Sequence, residues 1–183
     1  MGVYHTLREA NIVRQREWDT GGNIDLSYAG NELCGEAGEL IEAVTDILDC
    51  DSTDFDNLHD ELADVIICCD LIAMRLDLPL LTLFDANLPP PAPAEAIKDM
   101  LLALFKEVGM VSNTIKKRER ERFGMVGARG SIEDLGRNLQ EVVLNTYRVG
   151  FMMQIDVSNC VAAKFNKTSI KNNLTTRLER PRG

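Results

Sequence analysis

Two stretches of the sequence carry paired carboxylates at a spacing that suits a metal site. Glu36 and Glu39 are three positions apart, as are Glu61 and Asp64, so each pair lies on one face of a helix. Two antiparallel helices can bring such pairs together as four oxygen donors, the ligands that Mg²⁺ or Mn²⁺ prefers. Glu32, one turn before Glu36, can join them. The pattern therefore predicts a divalent-cation site.

A solvated acidic helix face is the alternative explanation of the same spacing. The surrounding residues favour the cation, because Glu61 falls in line with Leu58 and Val65 on an apolar stripe. Carboxylates so close to apolar residues lose hydration and repel one another unless a positive charge compensates. No Lys or Arg lies between Glu17 and Arg75 to provide that charge.

The elements that position these acids are predicted to be helices. Hydrophobic residues make up 45% of the chain and aromatic residues only 5%, and the apolar positions recur at helical spacing. Ser131, with Asp134 three residues later, is typical of a helix start. The predicted helices span 3–18, 26–48, 55–75, 93–123, 131–153 and 157–165, with a short one after Pro79.

The two halves of the chain resemble each other. The segment LCGEAGEL (33–40) aligns with LFKEVGMV (104–111), and LHDELADVI (58–66) aligns with LGRNLQEVV (135–143). In this register the second copy has Met110 and Asn138 where the first has acids. We therefore expect an acidic unit at 1–88, a Pro-rich linker at 89–93 and a second unit at 94–183 with a basic end.

Charge and hydropathy exclude several classes of function. Residues 1–94 carry 19 acids and 4 Lys or Arg, a net charge of −15, whereas residues 95–183 carry a net charge of +6. The acidic half would repel nucleic acid. No apolar run approaches the roughly 18–20 residues of a membrane span, and the first residues have no signal-peptide core. An odd number of cysteines without C-x-x-C spacing indicates reduced thiols, so we expect a cytoplasmic protein.

The motifs resemble those of the MazG-like all-α nucleoside triphosphate pyrophosphohydrolases, which are related to the dimeric dUTPases. GEAGELIEA (35–43) followed by DELADVI (60–66) matches the family's E-x-x-E and E-x-x-D pattern. RQREWD (14–19) and NELCGE (31–36) are similar to phage and bacterial members. KFNKTS (164–169) resembles the phosphate-contacting end of the family unit. The resemblance covers nearly the whole chain.

The resemblance implies an all-α bundle of two fused units, a pseudo-dimer, in a bacterial or phage-infected cell. The implied reaction is Mg²⁺-dependent hydrolysis of a nucleoside triphosphate to the monophosphate and pyrophosphate. A purine substrate such as dGTP is favoured over dUTP or dCTP, and a non-enzymatic helical regulatory module is the other alternative. The sequence leaves open whether the chain forms a homo-oligomer.

Individual residues take roles from this resemblance and from their chemistry. Glu36, Glu39, Glu61 and Asp64 would bind the cation, and Glu32, Glu36 or Glu39 would orient the attacking water. Trp18 could stack on the base or be a buried core ring, and Gln15 and Asn31 could read base edges. The candidates for phosphate contact are Lys164, Asn166, Lys167 and one of Lys116 and Lys117, although the latter two fit a solvated helix surface equally.

Overall fold

The computed structural model describes residues 2–50, 52–80 and 96–180 and shows an all-α helical bundle within them. Six helices and two three-residue strands make up this part of the chain. In chain order they are β1 (Gly2–Tyr4), α1 (Leu7–Trp18), α2 (Leu26–Asp49), α3 (Phe55–Arg75), α4 (Ala96–Arg122), α5 (Ile132–Met152), α6 (Val157–Lys171) and β2 (Thr176–Leu178). The strands pair in parallel, with Val3 opposite Arg177. The predicted Pro-rich linker at 89–93 and the short helix after Pro79 lie outside the described residues.

The helix starts follow capping chemistry that is readable in the sequence. Thr6 accepts a hydrogen bond from the backbone N–H of Glu9, and the Glu9 carboxylate accepts one from the backbone N–H of Thr6. Asp25, Asp54 and Asp156 cap α2, α3 and α6 through their side-chain oxygens. These caps satisfy backbone donors that the first helical turn leaves without partners.

Helix α3 lies at the centre of the bundle and packs against α1, α2, α5 and α6. Helix α2 packs against α3 and α4, and α4 pairs with α5, so the hairpins α2/α3 and α4/α5 lie side by side. Gly30 permits a close approach of α2 to α4, since a Cβ there would lie 2.8 Å from Cδ1 of Ile115. Buried apolar residues from both halves form one contiguous core among the described residues, including Leu33, Leu62, Leu104 and Leu139.

A buried polar network fastens α1 to α3. Asp70, only 1% exposed, accepts hydrogen bonds of 2.9 Å from Nε of Arg8 and from Nδ2 of Asn11. Arg8 also donates to the carbonyl oxygen of Leu78. The network satisfies groups that would otherwise be buried without partners, and it fixes the rotation of α1 over α3. This orientation matters because α1 contributes residues to the candidate site.

The substitution Asp70→Ala is expected to lower the free energy of unfolding by about 3 kcal/mol, because it leaves Asn11 and Arg8 without their buried partner. Asp49→Ala, which removes the exposed ion pair with Lys98, should cost less than about 1 kcal/mol. Urea denaturation of both variants measures the difference. Equal losses would contradict the importance assigned to the network.

Candidate functional site

The two predicted carboxylate pairs converge between α2 and α3. One carboxylate oxygen from each of Glu36, Glu39 and Glu61 lies within 4.8 Å of the others. Glu39 is exposed, Glu36 is half-buried and Glu61 is 7% exposed. Spacing by three positions put Glu36 and Glu39 on one face of α2, and the packing of α2 on α3 turns that face toward Glu61.

Glu61 has the least favourable surroundings of the three. Its Oε2 atom is buried and has no hydrogen-bond partner among the described residues. A buried carboxylate oxygen left in this way costs free energy unless a cation or a donor reaches it. Oxygen donors of this kind and spacing suit Mg²⁺ or Mn²⁺, which retains waters in its remaining positions. The residues present therefore fit the cation that the sequence predicts.

Burial and mutual repulsion weaken the acidity of this cluster. Burial raises the pKa of Glu36 to about 7, with further increases from the charges of Asp64, Glu39 and Glu61. Burial likewise raises the pKa of Glu61 to about 7, and the charge of Asp64 adds to the increase. The pKa of Asp64 is also raised, chiefly by burial, although a hydrogen bond from Lys164 opposes the shift.

Helix α6 brings lysines from the second half of the chain to these acids. Nζ of Lys164 is 2.6 Å from Oδ2 of Asp64 and 3.3 Å from Oδ2 of Asp60. Nζ of Lys167 is 2.5 Å from the same Asp60 oxygen. Burial alone would lower the pKa of Lys164, but its bonds to Asp64 and Asp60 leave that pKa raised. The ammonium groups thus offset part of the negative charge on α3.

A cavity of about 230 Å³ opens beside the carboxylates. Its polar lining includes most of the predicted site residues, namely Gln15, Trp18, Glu32, Glu36, Asp64 and Lys164. Ile24, Ile67 and Leu71 give it an apolar wall. Trp18 is 49% exposed, so it is not a buried core ring. Nε2 of Gln15 is buried and has no partner among the described residues, which leaves a donor for a bound molecule.

Arg14 lines the same cavity, and the sequence analysis did not include it among the site residues. Its guanidinium carbon lies 3.6 Å from the ring centroid of Phe165, and its Nη1 donates to the carbonyl oxygen of Phe165 at 3.3 Å. Burial lowers the pKa of Arg14 to about 10, so the side chain remains charged at neutral pH. Arg14 shares the buried stripe of α1 with Leu7, Ala10 and Asn11. An arginine on the apolar face of a predicted helix is the signal that would have identified it.

Other predicted residues lie elsewhere. The side-chain amide of Asn166 donates to the carbonyl oxygen of Leu178 at 2.8 Å and accepts from its N–H at 2.9 Å, so it holds β2. Asn31 and Lys116 line a separate cavity of about 380 Å³ between α2 and α4. Glu32 faces the main cavity, where burial raises its pKa and a hydrogen bond from Tyr28 opposes the shift.

Comparison of the chain with protein-family models, with curated proteins and with solved structures gave no match. The resemblance to MazG-like enzymes therefore rests on the motifs and the site geometry. Across residues 2–50, 52–80 and 96–180, none of the helices combines the length and apolar character that crossing a membrane requires.

The raised pKa values predict how stability depends on pH when no divalent cation is present. Between the ordinary glutamate pKa of 4.5 and the folded value of about 7, the folded protein holds more protons on Glu36 and Glu61 than the unfolded chain does. These two groups therefore lower the free energy of unfolding as the pH rises through that window. Glu61→Gln should gain stability relative to the wild type between pH 5 and pH 8, as measured by denaturation in EDTA.

The control for this experiment is Glu42→Gln, which neutralises an exposed glutamate of α2 outside the cluster. Its stability difference from the wild type should stay nearly constant across the same pH range. A Glu61→Gln protein that shows no relative gain would mean that the carboxylates do not repel one another as the geometry indicates.

Proposed function

We propose that this protein is a metal-dependent nucleoside triphosphate pyrophosphohydrolase of the MazG-like type. The observation that carries the proposal is the convergence of Glu36, Glu39 and Glu61, with a buried Glu61 oxygen that lacks a partner, beside a cavity that also presents Arg14 and Lys164. Negative groups that hold a cation, next to positive groups that attract phosphate, are what a triphosphate requires.

Glu36, Glu39, Glu61 and, after rearrangement, Asp64 would hold Mg²⁺ or Mn²⁺. Such an ion supplies charge neutralisation for the phosphates and activates water as a nucleophile. Glu32 faces the cavity one helical turn from Glu36, where its carboxylate can orient the attacking water.

The other end of the cavity suits the base and the phosphates. Trp18 offers an aromatic face for stacking, and the unpartnered Nε2 of Gln15 can donate to a carbonyl oxygen on a base edge. Arg14 and Lys164 attract the phosphate chain. A purine deoxynucleotide such as dGTP is the substrate that we propose, and a cytoplasmic location, as in a bacterial or phage-infected cell, belongs to the same proposal.

We further propose that the two hairpins are fused copies of one unit. In the second copy Glu107 and Glu141 correspond to Glu36 and Asp64, and both lie near the ammonium of Lys106, which is 2.7 Å from Oε1 of Glu107. A lysine thus accompanies the acids of α4 and α5, where Met110 and Asn138 replace the remaining carboxylates. This arrangement favours a single catalytic centre in each chain.

The decisive assay is a panel of ribo- and deoxynucleoside triphosphates with Mg²⁺, scored for pyrophosphate and monophosphate. Glu36→Gln and Glu61→Gln should each lower turnover by at least about 100-fold, because each removes a ligand of the ion that activates water. Glu107→Gln is the matched control in the second hairpin and should stay close to the wild-type rate. A folded wild-type protein that turns over no nucleotide would exclude the proposal.

Trp18 is the only tryptophan of the chain, so its fluorescence reports directly on the cavity. A dGTP analogue with a methylene bridge between the α- and β-phosphates should quench it in a saturable manner. Trp18→Ala should raise KM about tenfold or more, since stacking on a base contributes about 1–3 kcal/mol, whereas Trp18→Phe should keep most of the affinity. Fluorescence that is unchanged at saturating analogue would place the base elsewhere.

A further inference from the structure

Lys164 occupies the position where the carboxylate cluster meets the cavity. Its ammonium lies 2.6 Å from Oδ2 of Asp64, and its side chain is 18% exposed. Asp64 is one of the four acids predicted to bind the cation, yet the mutual 4.8 Å grouping contains only Glu36, Glu39 and Glu61. The fourth acid is therefore paired with a positive charge from the protein itself.

An ammonium and a divalent cation compete for this corner of the site. The Oδ2 atom that accepts from Lys164 cannot at the same time coordinate an ion along that direction, and two positive charges at such short range repel. Full use of the four acids therefore requires Lys164 to withdraw from Asp64.

The surroundings identify Lys164 as the group that moves. Arg14, the other cation facing the cavity, is 7% exposed and is fixed by its contacts with Phe165 and by a bond from its Nη2 to Oδ1 of Asn11. Lys164 has a flexible four-carbon stem. Its departure does not strip Asp60 of a partner, because Lys167 also reaches that carboxylate.

Resting on the proposed function, we propose that Lys164 holds the place of the cation beside Asp64 and exchanges partners when a divalent ion binds, passing its ammonium to a phosphate oxygen of the nucleotide. The exchange uses the same positive charge twice, first to neutralise Asp64 and then to bind substrate. It couples the two ligands, because cation binding releases the lysine that the phosphate needs. Thermodynamic linkage then requires that phosphate binding also strengthen cation binding.

Direct binding of Mn²⁺ alone, followed by electron paramagnetic resonance of the free ion, tests the first half of the exchange. Lys164→Met should bind Mn²⁺ about tenfold tighter than the wild type, because a competing positive charge has gone. Lys164→Gln is the second neutral variant, keeps a hydrogen bond to Asp64 and should show the same direction of change. Lys167→Met, which removes an exposed lysine of the same helix, should match the wild type.

Calorimetric binding of inorganic pyrophosphate tests the second half. Mn²⁺ should strengthen pyrophosphate binding to the wild type and to Lys167→Met, and both Lys164 variants should lose most of that gain. Either Lys164 variant binding Mn²⁺ no more tightly than the wild type would overturn the exchange, as would an unchanged gain in pyrophosphate affinity.

Glu61→Gln separates this result from failure of the proposed function. If the wild type binds Mn²⁺ and Glu61→Gln does not, the cation site stands and the Lys164 variants alone decide the exchange. If neither the wild type nor the Lys164 variants bind Mn²⁺, the cation site is refuted and the exchange with it.

Discussion

Repulsion between carboxylates on α2 and α3 is the constraint around which the rest of the site is arranged. Glu36, Glu39 and Glu61 approach within 4.8 Å of one another, and burial deprives Glu36 and Glu61 of much of their hydration. Nearby positive charge offsets this only on one side, where Lys164 contacts Asp64. The core that α2 and α3 share with the other helices must therefore hold the acids together against their own repulsion.

Much of the fold follows from residue patterns that are local in sequence. The apolar stripes of α2 and α3 predict those helices to within one residue at each end, because polar caps and loops bound them sharply. Helix α6 continues to Lys171, beyond the predicted end at Phe165, because the next buried position on its stripe is the polar residue Ser169. Strand β1 was predicted as helix, although the capping box at Thr6 marks the true start of α1.

The candidate site divides along the same line between local and distant information. The meeting of Glu36 and Glu39 with Glu61 was predictable, since helical periodicity and a hairpin between adjacent helices are enough to bring them together. The contact between Lys164 and Asp64 joins residues 100 positions apart in sequence, and no local pattern encodes it. Asn166 shows the opposite outcome, because its position in a phosphate-binding motif gave no sign that its amide would instead hold β2.

The position of α6 in the chain has a consequence for synthesis on the ribosome. Translation delivers α2 and α3 with their acids long before it delivers Lys164 and Lys167, so the nascent hairpin carries uncompensated negative charge while the later helices are still being made. Chains of this size commonly fold through intermediates that expose apolar surface. The arrival of α6 supplies both the missing positive charge and the packing surface for α3, so the last helix of the bundle also completes the electrostatics of the first half.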